Sequence, residues 1–252
     1  MNRNRFSIPC AAALLLAAAP AAPAQSRSLA LDTTAGLTLH NAAAAPVSFQ
    51  GKKALKLTAP APPSSGVTAA PRPEGKKAGQ KKGAGEAGRM DHLAIVDGVE
   101  FGNGTIEVDL AGEPGPGAAG GARGFVGVAF RLQPDRKTYD CFYLRPTNGR
   151  AEDQERRNHT AQYISHPTHT WFKLREETPS RYESWVDIGP AEWIHVRIDV
   201  NGDKARLYVN NGAQPVLIVN DVKSGAASKG GVALWFEGST IAHFANLKIT
   251  PR

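Results

Sequence analysis

Apolar and polar residues alternate with a period of two along much of the chain. Residues 105–110 set Ile106, Val108 and Leu110 against Thr105, Glu107 and Asp109, the pattern of a strand buried on one face. Residues 193–200 repeat it with Ile194, Val196, Ile198 and Val200, and Asn201-Gly202-Asp203 then reads as a short hairpin turn into a strand at 204–210. The stretch 125–132, with Val126, Val128 and Phe130, predicts another strand, and 138–145 its antiparallel partner. Further strands are expected at 215–219, 231–237 and 241–250. Nearer the start, residues 37–58 predict strands carrying Leu37 and Leu39, Val47 and Phe49, and Leu55 and Leu57, with Gln50-Gly51-Lys52 as a turn. The Gly/Ala/Pro cluster at 111–123 reads as a loop. No segment of useful length has helical periodicity. Many short strands without crossover helices predict an all-β sandwich of two antiparallel sheets.

Two segments depart from this pattern. Residues 1–24 read as a signal peptide: Arg3 and Arg5 precede an apolar run from Ala11 to Ala19, and Ala22-Pro23-Ala24 supplies a small-residue cleavage site. The run is shorter than the ~20 residues a bilayer crossing needs. No later segment is a better candidate, so a soluble, secreted or periplasmic protein that does not span the membrane is expected. The residues before Cys10 lack the pattern that precedes a lipidated cysteine. Residues 59–90 are rich in Pro, Gly, Ala and Lys and nearly devoid of large apolar side chains, which predicts a disordered basic insertion. Everything else, 25–252, reads as one domain.

Charge changes the picture little. The net charge is +7, of which Arg3 and Arg5 contribute +2 and residues 71–89 contribute +4, leaving +1 for the rest. A near-neutral domain beside a basic tether does not read as a nucleic-acid binder. Beyond Cys10 the chain has only Cys141, so no internal disulfide is expected; its place between Tyr139 and Tyr143 predicts a buried apolar residue.

Several segments resemble the concanavalin A-like lectin/glucanase superfamily: "GKKALKL" from Gly51, "GTIEVDL" and "GFVGVAFR", "WIHVRIDVNGDKARLYVNN", and the closing "GVALWFEGSTIAHFANLKIT". Within it they are most similar to exported bacterial laminin-G-like and 3-keto-disaccharide hydrolase-like domains. The resemblance implies a jelly roll whose last strand returns beside the first. It says less about function, because this fold hosts lectins, glycosidases, lyases and adhesion modules. Laminarinase-type members carry alternate carboxylates on one strand, one attacking the sugar and one protonating it. Here Glu107-Val108-Asp109 begins such a motif, but Ala111 and Gly112 stand where the last carboxylate should be. The superfamily also commonly holds a structural calcium; no Asp-rich loop marks one here, and no other cofactor is expected.

The stretch 145–185 is unusually long and polar for a β-sandwich connection. Tyr163, Ile164, Trp171, Phe172, Leu174, Tyr182 and Trp185 would anchor it, so it reads as an ordered loop. Arg145, Asn148, Arg150, Arg157, Asn158, His159, Gln162, Tyr163, His166, Trp171, Arg175 and Tyr182 are the candidate ligand-binding residues. Aromatic faces with amide and charged side chains suit sugar hydroxyls, and Arg adds paired recognition of a carboxylate or sulfate. His166 and His169 are a weak metal pair, because Pro167 disfavours the helix that would align them. Trp235 is expected in the core, with a sugar platform as the alternative.

Three function classes remain open. One is a non-catalytic glycan-binding module whose partner is a glycan or cell-envelope polysaccharide. The second is a glycoside hydrolase or lyase acting on a modified or acidic glycan, with His159 or Tyr163 as base and Glu176, Glu177 or Glu183 as acid. The third is a structural envelope protein. The oligomeric state is not encoded in any feature read here.

Overall fold

A computed structural model describes residues 26–61 and 91–252. The segment read as a signal peptide and most of the basic insertion lie outside the described residues. In chain order the strands are β1 Arg27–Leu29, β2 Leu37–His40, β3 Ala43–Phe49, β4 Lys52–Thr58, β5 His92–Val96, β6 Gly104–Pro114, β7 Val126–Leu132 and β8 Tyr139–Leu144. After helix α1, Gln154–Asn158, comes β9, Ala161–His166, and after α2, Trp171–Glu177, comes β10, Glu183–Ser184. The last five are β11 Ile194–Asn201, β12 Lys204–Val209, β13 Leu217–Val219, β14 Gly231–Phe236 and β15 Thr240–Pro251.

Among the described residues these strands make two antiparallel sheets. The back sheet runs β13-β12-β11-β6-β15-β4-β3, with β1 also on β15. The front sheet runs β10-β9-β8-β7-β14-β5-β2. The last strand does return beside the first, since Leu29 pairs with Leu247. Two of the expected turns form tight hairpins. Gln50 and Gly51 both have positive φ, 48° and 76°, which matches a mirror-image two-residue turn to the strand twist. Asn201 pairs with Lys204, leaving Gly202 and Asp203 as the other turn.

In the back sheet the alternation works as the sequence suggests. Ile106, Val108 and Leu110 of β6 and Ile194, Val196, Ile198 and Val200 of β11 are buried between the sheets. Their neighbours face outward and pair across strands. Asp109 accepts from Lys52 Nζ at 2.7 Å, His195 Nδ1 at 2.8 Å and Asn246 Nδ2 at 2.8 Å. Glu107 and Asp109, the start of the glycosidase-like motif, therefore lie on the outer face of the back sheet. His243, on the same sheet, stacks on Phe49 at 3.8 Å.

The front sheet differs. β7 and β8 are buried along their whole length, on both faces. Val126, Val128, Phe130, Phe142 and Leu144 face the interior, while Ala129, Tyr139, Cys141, Tyr143, Ile164, Ala233 and Trp235 form a second apolar layer on the outer face. Cys141 is fully buried there, and burial first, then the charges of Asp91 and Asp140, push its thiol up.

The stretch 145–185 is not a loop. It holds the full strand β9, the short β10, α1, α2 and a 3₁₀ turn at Pro146–Asn148. β9 pairs residue for residue with β8, from Tyr139–His166 to Leu144–Ala161. The loop expected at 111–123 also begins later, because β6 continues to Pro114. Among the described residues no helix is long and apolar enough to cross a membrane.

Candidate functional site

The site grows from the outer face of the front sheet. Gly127 of β7 stands between Tyr143 of β8 and Trp235 of β14. With no side chain at Gly127 the two rings meet across it, 4.9 Å apart and tilted by 32°. Trp235 therefore lies on the outer face, not between the sheets, yet it is 3% exposed and its indole N–H donates to Tyr139 Oη at 3.1 Å.

Beside this floor stands a charged wall. Arg145 follows β8, and its guanidinium donates to Tyr143 Oη at 2.8 Å, Gln162 Oε1 at 3.1 Å and the His159 carbonyl at 2.7 Å. It also stacks near Phe125, Tyr143 and Trp171. Glu183, buried on β10, lies 3.6 Å from Arg145 and takes two hydrogen bonds from Arg175 of α2, one of them from Nε at 2.9 Å. His159 Nδ1 approaches the other side of Glu183 at 2.9 Å. Burial holds the His159 imidazole below its usual range; Glu183 opposes this, and the Arg175 and Arg145 charges add to it.

The upper rim is set by short local structures. Asp153 caps α1 by accepting from the Arg156 backbone N–H at 3.0 Å. That turns Arg156 back over the 3₁₀ turn, where its side chain donates to Asn148 Oδ1 at 2.9 Å and to the carbonyl and hydroxyl of Thr147. Across from it, Arg123 ends the Gly/Ala loop, donating to the carbonyls of Gly120 and Ala122. Wall and rim line an open cleft of about 1020 Å³; the buried Tyr143–Trp235 pair is not part of its lining. Arg123, Arg145, Arg156 and Arg175 line it, with Phe125, Trp171, Asn148 and His159.

Five of the twelve candidate ligand-binding residues meet in this cleft: Arg145, Asn148, His159, Trp171 and Arg175. The others are elsewhere. Tyr163 faces the interior, donating to Asp140 Oδ1 at 2.7 Å, and Tyr182 packs against it from the side. Gln162 is fully buried and holds Arg145 in place. Arg150 pairs with Asp187 and Glu192 at the surface, Arg157 stacks over exposed Trp185, and Asn158 is exposed at the end of α1. His166 and His169 line a second cavity of about 410 Å³, where His166 Nδ1 lies 3.1 Å from Tyr139 Oη. Among the described residues no group of three or more His, Cys, Asp or Glu side chains could hold a metal ion.

Of the acid–base candidates only His159 and Glu183 meet, 2.9 Å apart. Burial, then the Asp140 charge, raises the Tyr163 phenol well above its usual range, so it cannot take a proton near neutrality. Glu176 and Glu177 are exposed on α2, and neither lines the cleft. Glu183 is occupied by Arg145, Arg175 and His159. The carboxylates that do line the cleft are Asp153, Glu155 and Glu237, and Glu237 accepts from Ser239. What the cleft presents is hydrogen-bond donors and aromatic surface. Arg123, Arg156 and Phe125 are the lining residues that pattern reasoning missed. Arg123 is hidden in a turn cluster and Arg156 in a charged run, and only the Asp153 cap spacing hints at how Arg156 points.

No protein-family model matches the chain, and no curated protein matches it in sequence. Solved structures resemble it in fold. The carbohydrate-binding module CBM66 from Bacillus subtilis gives a TM-score of 0.50 at 15% identity, over 85% of this chain and 95% of that one. A Bacillus subtilis protein of unknown function with a galectin-like fold gives 0.51 at 10% identity, over 90% and 96%. These likenesses show the fold, a jelly-roll sandwich of two antiparallel sheets.

Proposed function

We propose that this is an exported, non-catalytic glycan-binding module, its export signal being residues 1–24, and that the cleft on the front sheet is where the glycan sits. The observation that carries the reading is the lining of that cleft. Guanidinium and amide donors stand beside the half-buried Trp171. Sugars are held by such donors to their hydroxyls and by aromatic rings against their C–H faces. The carboxylate arrangement favours binding over hydrolysis, since each buried carboxylate of the wall is already committed to a neighbour. The carbohydrate-binding name of one fold relative is in keeping with this. Under this reading the chain is of the kind its quoted segments resemble, the exported laminin-G-like and 3-keto-disaccharide hydrolase-like domains.

The test is a glycan panel scanned by thermal shift, with hits titrated calorimetrically and assayed for released reducing ends. At least one glycan should raise the melting temperature without being cleaved, and Trp171→Ala should remove that shift. A panel with no responder would sink the reading, and product release would convert it to an enzyme.

A further inference from the structure

We infer that the glycan taken by this cleft carries an anionic group, a carboxylate or sulfate on the sugar, seated between the guanidinium groups of Arg123 and Arg156. The inference rests on the glycan-binding reading above and names the ligand's chemical class.

Four arginines line the cleft, and they fall into two pairs. Arg145 and Arg175 share the buried Glu183. Arg123 and Arg156 form no ion pair with any carboxylate among the described residues. Their hydrogen bonds go to neutral groups only: Gly120 and Ala122 carbonyls for Arg123, Asn148 and Thr147 for Arg156. Those bonds leave Arg123 Nε and Nη2 and Arg156 Nη1 without an acceptor among the described residues. The two groups are also close enough to oppose each other. Burial, then the charges of Arg156 and Arg145, lowers the Arg123 pKa.

The carboxylates that could neutralise them are directed elsewhere. Asp153 caps α1 through the Arg156 backbone, and Glu237 accepts from Ser239. Glu155 is 88% exposed and reaches His159 only at 4.0 Å. Two partly buried guanidiniums with spare donors and no ion pair of their own among the described residues are costly alone and favourable around an anion. The planar fork of each suits the paired oxygens of a carboxylate or sulfate. A neutral sugar would leave the like charges facing each other.

The test uses the purified full chain and glycan pairs that differ only in charge: polygalacturonate against its methyl ester, and chondroitin sulfate against desulfated chondroitin. The acidic member of at least one pair should bind at least tenfold more tightly, and which pair responds distinguishes carboxylate from sulfate. Arg123→Gln and Arg156→Gln should each erase most of that preference, and Arg123→Lys, which keeps the charge but not the fork, should erase part of it. Arg150→Gln should have no effect. Melting temperatures identify any variant that has lost its fold, and Arg123, whose side chain bonds only to its own loop, keeps the test valid if Arg156→Gln unfolds. Equal binding of charged and neutral partners, both lost in Trp171→Ala, would overturn the anionic inference and leave the glycan reading standing. A preference for acidic glycans unaffected by Arg123→Gln would also overturn it, and would move the contact to another basic segment. No binding to any glycan would overturn both.

Discussion

Glu183 is a buried carboxylate shared by Arg145, Arg175 and His159. Removing one partner from a buried ion pair leaves the other charge uncompensated, which typically costs about 3–5 kcal/mol. Glu183→Gln is therefore expected to lower the unfolding free energy measured by urea titration by an amount in that range. Glu176→Gln, on the exposed face of α2, should stay within about 0.5 kcal/mol. Histidines give a second prediction. Burial, then the Lys56 charge, lowers His243 to about 4, and burial also lowers His159, His40 and His169. In the unfolded chain these groups titrate near ~6.5. Above that both states are neutral and stability is full. As pH falls from ~6.5 toward 4, the unfolded chain takes up protons that the folded chain resists, so stability is lost across that window. Melting temperature measured against pH should decline there. His243→Phe, which keeps the stack on Phe49, should make the decline shallower.

At the level of elements, the front sheet explains both what the sequence revealed and what it hid. Alternation finds strands with one wet face, and β6 and β11 were legible for that reason. β9, "AQYISH", is dry on both faces along most of its length while carrying Gln162, Ser165 and His166. It has neither alternation nor an apolar run, so it passes for loop. Residue types did point to Arg145, Asn148, His159, Trp171 and Arg175, because Arg, amide and aromatic side chains together are unusual. Their grouping was not legible, since it depends on β9 bringing β10 and α2 against β8. Gly127 is the element-scale counterpart. A Cβ there would lie 2.2 Å from the Phe142 carbonyl oxygen and 2.6 Å from Tyr143 Cβ, both across the β7–β8 ladder. Backbone cannot yield as a side-chain tip can, so Gly127→Ala should cost about 3 kcal/mol or more. It should also separate Tyr143 from Trp235, which loss of glycan binding and a change in near-ultraviolet circular dichroism would report.

On the scale of the whole molecule the two outer faces have opposite characters. The back sheet is covered by paired charges and the front sheet by an apolar layer with an arginine-lined cleft at its edge. The strand that begins like a glycosidase motif, β6, is in the back sheet, with Glu107 and Asp109 facing away from the cleft across the full thickness of the sandwich. Burial pushes the Asp109 carboxyl up, but hydrogen bonds from Lys52, His195 and Asn246 outweigh it and hold it below the usual carboxylate range. Asp109 thus contributes stability that is present above about 3.9 and lost as pH falls through its depressed folded pKa. Asp109→Asn should cost about 1 kcal/mol at neutral pH, because Lys52 and His195 are partly solvated and lose a charge-assisted bond without being stranded. The part of the acid-induced loss that belongs to Asp109 should disappear with it. Glycan affinity should be unchanged, since nothing on this face reaches the cleft. A calorimetric titration of Asp109→Asn that shows weakened binding would mean the glycan contacts the back sheet, and that the glycosidase-like strand still takes part in recognition.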